Sequence, residues 1–292
     1  MQGISIPLGR TPRQNEPDRA PIARAGPAWA ATCGDSTDWD QPAPPVRIHA
    51  NTYLVGTCGI SSLLVTGSQG HVLIDGGTEQ GAEHIAENIR SLGFRLKDIR
   101  FILTSHEHHD HVGGVARLQQ LTGATVVSSA AAKAVLESGQ PSRNDPQYGS
   151  IKGFPPVRVE RVVADRQGLL IGDLYLTPMT TPGHTPGALS WRWEACAGAV
   201  CRTIVYADSL SPISSETYRF SAHATYLAAY RASLAKVAAS RCEILLTPHP
   251  SASNLKERMT GAAPLFDEQG CKVYAAKLGR MLDERLAKEA TK

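Results

Sequence analysis

Between residues 104 and 114 the chain reads "TSHEHHDHVGG". His106, Glu107, His108, His109, Asp110 and His111 place four imidazoles and two carboxylates in six consecutive positions. A solvated helix face can be rich in Asp and Glu at little cost, but a solvated face does not explain four imidazoles so close together. Neutral imidazole and carboxylate are natural zinc ligands. His106 and His108 are two apart, so in an extended segment both point to one side. Asp110 and His111 open the helix that follows and can aim at a second point nearby. One metal would be held by His106 and His108, another by Asp110 and His111. On the same parity Glu107 and His109 face away and are not ligands.

Two ligands per metal are too few, so other parts of the chain must contribute. "TTPGHTPGALS" (180–190) sets His184 in a tight Gly/Pro loop after a strand, and "LLTPHPSAS" (245–253) sets His249 in the same kind of setting. Three histidine-bearing loops at strand ends are what a dinuclear centre requires. His49, His71, His84, His109 and His223 have ordinary contexts and read as surface or hydrogen-bonded histidines.

Such loops need rigid elements to position them. Short β-rich runs at 52–56, 61–67 and 71–77 are each bounded by Gly, Ser or Asn, as strand ends tend to be. Residues 79–94 carry apolar residues at helical spacing, with Gly93 as a stop. Residues 99–105 read as a buried strand leading into the histidine cluster. Residues 111–123 read as a helix and 125–130 as a strand. In the second half, 169–179, 189–193 and 202–210 read as strands, 223–240 as a helix, 243–249 as a strand and 271–290 as a terminal helix. Alternating strands and helices with some direct strand-to-strand connections predict two mixed sheets packed together with helices outside. Residues 46–292 read as one domain, and the Pro-, Arg- and Gly-rich 1–45 as a poorly ordered leader.

Composition sets limits on partners. The chain has 292 residues, 42% hydrophobic and 20% charged, which suits a globular protein with a sizeable core. A net charge of +3 is too mild to indicate nucleic acid or a membrane surface. No apolar run approaches the roughly 18 residues of a membrane span. The expected partner is a small-molecule substrate, and the expected state a monomer.

None of the six cysteines forms C-x-x-C or adjoins the histidine cluster, which excludes a cysteine zinc site and a thioredoxin-like motif. The even count suggests disulfides and an oxidising compartment, with six buried free thiols as the alternative. Cys196 and Cys201 flank "AGAV", where a local bridge is plausible. The first 26 residues show no continuous apolar h-region. The cysteines nevertheless favour an exported chain from which a signal peptide has been removed.

"HEHHDH", "PGHTPG" and "TPHPS", with "ANTYLVGTCGIS", "LIDGG", "YADSL" and "LLTPHPSAS", resemble the metallo-β-lactamase superfamily, most closely its subclass B3, over about residues 33–290. The resemblance implies an α/β fold, a four-layer αβ/βα sandwich with two zinc ions at one edge. It implies that His106, His108 and His184 hold the first zinc, and Asp110, His111 and His249 the second. It also implies bridges Cys33–Cys58, Cys196–Cys201 and Cys242–Cys271. The expected activity is hydrolysis of the β-lactam amide of penicillins, cephalosporins and carbapenems in the periplasm, conferring antibiotic resistance. Two zinc ions roughly 3.5–4 Å apart can share a hydroxide as nucleophile, which Asp110 orients. That needs no protein nucleophile, in keeping with the absence of G-x-S-x-G and S-x-x-K. Ser209 and Ser211 are the expected contacts of the substrate carboxylate, with Gln147 near the pocket. Asp208 reads as a turn residue, although in the wider superfamily an aspartate of this region bridges the metals. Asp75 is either a carboxylate orienting a ligand or a turn cap. A lactonase or thioesterase is the alternative activity. A structural zinc module is disfavoured because structural sites are closed by four ligands.

Overall fold

The structure, a computed structural model, describes residues 25–291. One sheet has seven strands in sequential order: β1 (Val46–His49), β2 (Thr52–Leu54), β3 (Leu63–Gly67), β4 (Gly70–Ile74), β5 (Ile99–Leu103), β6 (Thr125–Ser128) and β7 (Val159–Val162). The second has five: β8 (Leu169–Ile171), β9 (Leu174–Thr180), β10 (Leu189–Ala197), β11 (Val200–Tyr206) and β12 (Ile244–Leu246), with β12 at the edge beside β11. Strands β4 to β7 run parallel, as do β11 and β12, and the remaining pairs are antiparallel, so both sheets are mixed.

Both faces of the central strands are covered, which is why they read as continuous apolar runs. Leu63, Val65, Val72, Ile74, Leu103 and Val127 point between the sheets, where they meet Leu176, Leu189, Trp191, Ile204 and Tyr206. The alternate residues Leu64, Leu73, Ile102 and Val126 pack outward under helices α2 (Gly81–Ser91), α4 (Val115–Thr122) and α5 (Ala130–Ser138). In α2 the buried Ala82, Ile85, Ala86 and Ile89 form one helical stripe. Helices α6 (Ala224–Ala238) and α8 (Gly270–Ala290) cover the five-stranded sheet through Tyr230, Leu234, Tyr274 and Leu278. The order helix, sheet, sheet, helix is the four-layer sandwich expected from the sequence.

Several elements differ from that expectation. The helix expected over 111–123 is broken into α3 (His109–Val112) and α4. Gly113 and Gly114 lie at the break because the backbone there presses on residues 76–79: a Cβ on Gly114 would stand 2.2 Å from the Gly76 carbonyl oxygen. The strand expected over 169–179 is the hairpin β8–β9, turning at Gly172-Asp173 with Ile171 opposite Leu174. A Gly-Asp pair between apolar runs is a hairpin turn signal. Of the expected leader, residues 1–24 lie outside the described residues. The rest does not fit a disordered leader: Ala25–Cys33 form helix α1, burying Trp29 against α7 (Leu255–Thr260) and the core. Disulfides join Cys33–Cys58, Cys196–Cys201 and Cys242–Cys271, the pairing implied by the resemblance.

Candidate metal centre

The loops bearing the candidate ligands leave the carboxyl ends of β5, β9 and β12, the end of parallel strands at which α/β sheets bind ligands. Ser105 anchors the first loop. Its N–H and hydroxyl donate to the two oxygens of Asp75 at 2.6 and 2.7 Å, and its carbonyl accepts from Leu189 N–H at 2.6 Å. His108 precedes α3 in an extended conformation. The rings of His106, His108 and His184 form an equilateral triangle, each pair of centroids 4.9 Å apart. One nitrogen from each lies within 4.8 Å of the other two.

Glu107 faces the other way, as the parity requires, and fastens the His184 loop. Its oxygens accept from Thr185 Oγ1 at 2.7 Å and Gly187 N–H at 2.8 Å. Burial raises its pKa to about 7, against the lowering effect of those bonds. His109 also turns away and packs edge-on to Trp39 at 5.4 Å.

The second group joins the first. Asp110 Oδ2 is 3.0 Å from His111 Nε2 and 3.5 Å from His249 Nε2. Donor atoms of His106, Asp110 and His111 also fall within 4.8 Å of one another. All six candidate ligands therefore converge on one place. Gln147 joins them, its Nε2 3.4 Å from His184 Nε2. Ser211 places its carbonyl 3.0 Å and its hydroxyl 3.1 Å from His184 Nδ1, so it orients this histidine. Ser209 is buried on the wall of a cavity shared with His249.

Four of the five histidines hydrogen-bond through one ring nitrogen to a carboxylate or carbonyl, and the fifth, His111, has the Asp75 carboxylate nearby. His106 Nδ1 meets Asp208 Oδ1 at 2.8 Å and His108 Nε2 meets Asp145 Oδ2 at 3.0 Å. His184 Nδ1 meets the Ser211 carbonyl, His249 Nδ1 the Gly59 carbonyl at 3.2 Å, and His111 Nδ1 lies 3.7 Å from Asp75 Oδ2. Such partners fix ring orientation and raise ligand basicity. The inward Nε2 of His106 is buried without a hydrogen-bond partner among the described residues. A buried unpaired polar atom is destabilising, and a cation at the centre of the triangle removes that cost, so the donor set fits a metal.

Electrostatics agree with that fit. Burial holds the pKa values of His106 and His184 well below the usual histidine range and brings His249 to about 4. Burial opposes ionisation of Asp110, but His111, His106 and His249 outweigh it and keep the carboxylate charged. Neutral imidazole at His106, His184 and His249 and an ionised Asp110 are metal-binding forms; at His111 burial opposes the charged form, but Asp110 and Asp75 outweigh it and raise the pKa.

Two aspartates act beyond what the sequence indicated. Asp208 is fully buried on His106, so it is more than a turn residue. Asp145 was missed because nothing in "NDPQYG" marks an aspartate aimed at a histidine 37 positions earlier. Asp75 holds Ser105 and accepts from Tyr206 Oη at 2.8 Å, which favours the orienting role over a simple turn cap. Replacing Asp208 by alanine is expected to weaken metal binding about 10–100-fold by freeing the His106 ring. Titration of the metal-free variant with zinc checks this, and an unchanged affinity would return Asp208 to a turn role.

Comparison with known proteins agrees with the fold. Residues 55–249 match the model of the metallo-beta-lactamase superfamily, and the chain belongs to that family. It is of the subclass B3 type. It is 50% identical to the metallo-β-lactamase MIM-1 of Novosphingobium pentaromativorans, over 90% of this chain and 98% of that one, with a TM-score of 0.88. MIM-2 is also 50% identical, over 91% and 98%, with a TM-score of 0.87. MEM-A1, a subclass B3 enzyme from a soil metagenome library, is 43% identical over 87% and 99%, with a TM-score of 0.83. Among curated proteins the resemblance is more distant. YobT of Bacillus subtilis is 30% identical over 48% of this chain and 59% of its own length. A hydroxyacylglutathione hydrolase of Bradyrhizobium sp. is 26% identical over 46% and 44%. The chain spans about half the length of these curated relatives.

Proposed function

We propose that this protein is a dinuclear zinc β-lactamase that hydrolyses the ring amide of penicillins, cephalosporins and carbapenems and so confers antibiotic resistance. The observation that supports it best is the convergence of His106, His108 and His184 with Asp110, His111 and His249 in two connected groups, their outer nitrogens oriented by neighbouring acceptors. Zinc held by these residues would polarise a carbonyl and supply an ionised water at neutral pH. Asp110, held as a carboxylate, would accept a hydrogen bond from the nucleophilic water and orient it. Glu107 keeps His184 in place through the loop at 185–187. Ser209 and Ser211, in the wall of the cavity beside His249, receive the substrate carboxylate, and Gln147 stands beside His184. Trp39 packs beside His109 and His249. Three disulfides suit an oxidising compartment, and the periplasm is the proposed location.

The lactonase or thioesterase alternative is less well supported. An aspartate bridging two metals would leave its carboxylate free to face them both. Here Asp208 Oδ1 is engaged behind His106, and its Oδ2 faces the Leu210 N–H at 3.5 Å. Purified protein is expected to carry two zinc ions per chain by elemental analysis. It should hydrolyse a penicillin, a cephalosporin and a carbapenem, and lose that activity on chelation. Turnover of a lactone or thioester with none of any β-lactam would replace this reading by the alternative. One zinc or none in fully active protein would remove the dinuclear centre.

A further inference from the structure

The turn at 208–211 is held against α8 by Tyr274, whose hydroxyl donates to the carbonyls of Ser209 at 2.6 Å and Asp208 at 3.0 Å. Between turn and helix lies a cavity of about 250 Å³, its wall including Ser209, Ser211, His249, Tyr274, Lys277 and Met281. Two features of that wall ask for a ligand. The Ser209 hydroxyl is buried and has no hydrogen-bond partner among the described residues, although Ser209 is only 6% exposed. A donor left in that condition is unfavourable unless something enters to accept from it. Lys277 follows Tyr274 by three residues, so the two stand on one helix face. It is the one lysine, arginine or acid in the wall, and it makes no ion pair or hydrogen bond among the described residues.

A serine whose hydroxyl has no partner and a lysine without an ion pair, both in the wall of one cavity, are complementary to an anion, and His249 of the metal centre belongs to the same wall. We propose that Lys277 is a specificity-determining residue: its ammonium pairs with the carboxylate of the substrate while Ser209 donates to the same group. This rests on the β-lactamase reading and extends it, since nothing in the sequence motifs pointed to a residue of the terminal helix. Lys277 acts on binding of the anionic substrate and touches no group of the metal centre.

The test uses the zinc-loaded full chain with a penicillin bearing a free ring carboxylate, its methyl ester, and the hydrolysed penicillin as a probe that is not turned over. Lys277 is exposed on α8, so its replacement leaves the core intact. Lys277→Ala is expected to raise KM for the free acid about tenfold, the loss of one hydrogen bond to a charged group. kcat and zinc content should stay at parental values, and KM for the ester should not move. Lys277→Arg should restore most of the affinity, and Lys277→Glu should lower it further. An unchanged KM for the acid in Lys277→Ala, or equal shifts for acid and ester, would overturn the proposal. If the parent hydrolyses no β-lactam, the functional reading fails separately. Calorimetric affinity for the hydrolysed penicillin in parent and Lys277→Ala then still decides the anion subsite.

Discussion

Replacing Asp110 by asparagine should lower turnover about 10²–10⁴-fold, the range for removal of a group that handles a proton in the transition state. The change is nearly isosteric, so the fold survives. What it removes is charge. Asp110 is the only carboxylate in the six-residue donor set, and its Oδ2 stands between His111 at 3.0 Å and His249 at 3.5 Å. His111 and its neighbours overcome the burial penalty and hold it ionised. An amide in that position can neither accept a proton nor offset a cation's charge. Metal should therefore be lost from the Asp110–His111–His249 group before the His106–His108–His184 group, giving about one zinc per chain where two are expected in the parent. His249→Ala should produce the same order of metal loss through a different ligand. Activity within tenfold of the parent, with full metal content, would exclude Asp110 from both roles.

The two halves of the site were unequally visible before the fold was known. His106, His108, Asp110 and His111 lie within six residues, and the period-2 rule correctly divides His106 and His108 from Glu107 and His109. His184 and His249 stood out through their Gly/Pro loops after apolar runs. The partners that hold the rings were hidden for a physical reason. They come from turns far away in sequence, such as Asp208 after β11 and Asp145 in the loop beyond α5, and an aspartate in a turn has the same local signature whether it caps the turn or orients a histidine. Gly59 contributes only a backbone carbonyl, which has no side-chain signature at all. The fold followed the same division. Central strands were legible because burial on both faces makes them uniformly apolar. The β7 edge strand "VERV", with Val159 buried and Glu160 exposed, carries too little pattern to stand out. The helix break at Gly113-Gly114 depends on backbone packing against residues 76–79, which no periodicity records.

Removing the Cys33–Cys58 bridge should affect the site as well as the fold. The bridge closes a separation of 25 residues, worth about 3 kcal/mol in the chain-entropy account. For a chain of this size that corresponds to a fall in Tm of roughly 5–10 °C. Its position adds a second consequence. Cys58 N–H donates to the Gln41 carbonyl at 3.0 Å and Thr57 Oγ1 to the Trp39 carbonyl at 2.7 Å, so the bridge presses residues 37–41 onto the turn at 57–60. Gly59 permits the close approach, since a Cβ there would stand 2.6 Å from the carbonyl oxygens of Thr37 and Asp38. The same turn offers the Gly59 carbonyl to His249 Nδ1 and sets Trp39 beside His249 and His109. A Cys33→Ser, Cys58→Ser double variant should therefore lose zinc more readily from the His249 group as well as melt earlier. The Cys196–Cys201 bridge supplies the control. It joins opposed residues near the tip of the β10–β11 hairpin, away from every candidate ligand, and closes a separation of only five. Its removal should leave zinc affinity at the parental value. Thermal melts and zinc titration of both double variants separate the two effects. Equal zinc affinity in the Cys33/Cys58 variant and the parent would confine that bridge to stability and leave His249 oriented by β12 alone.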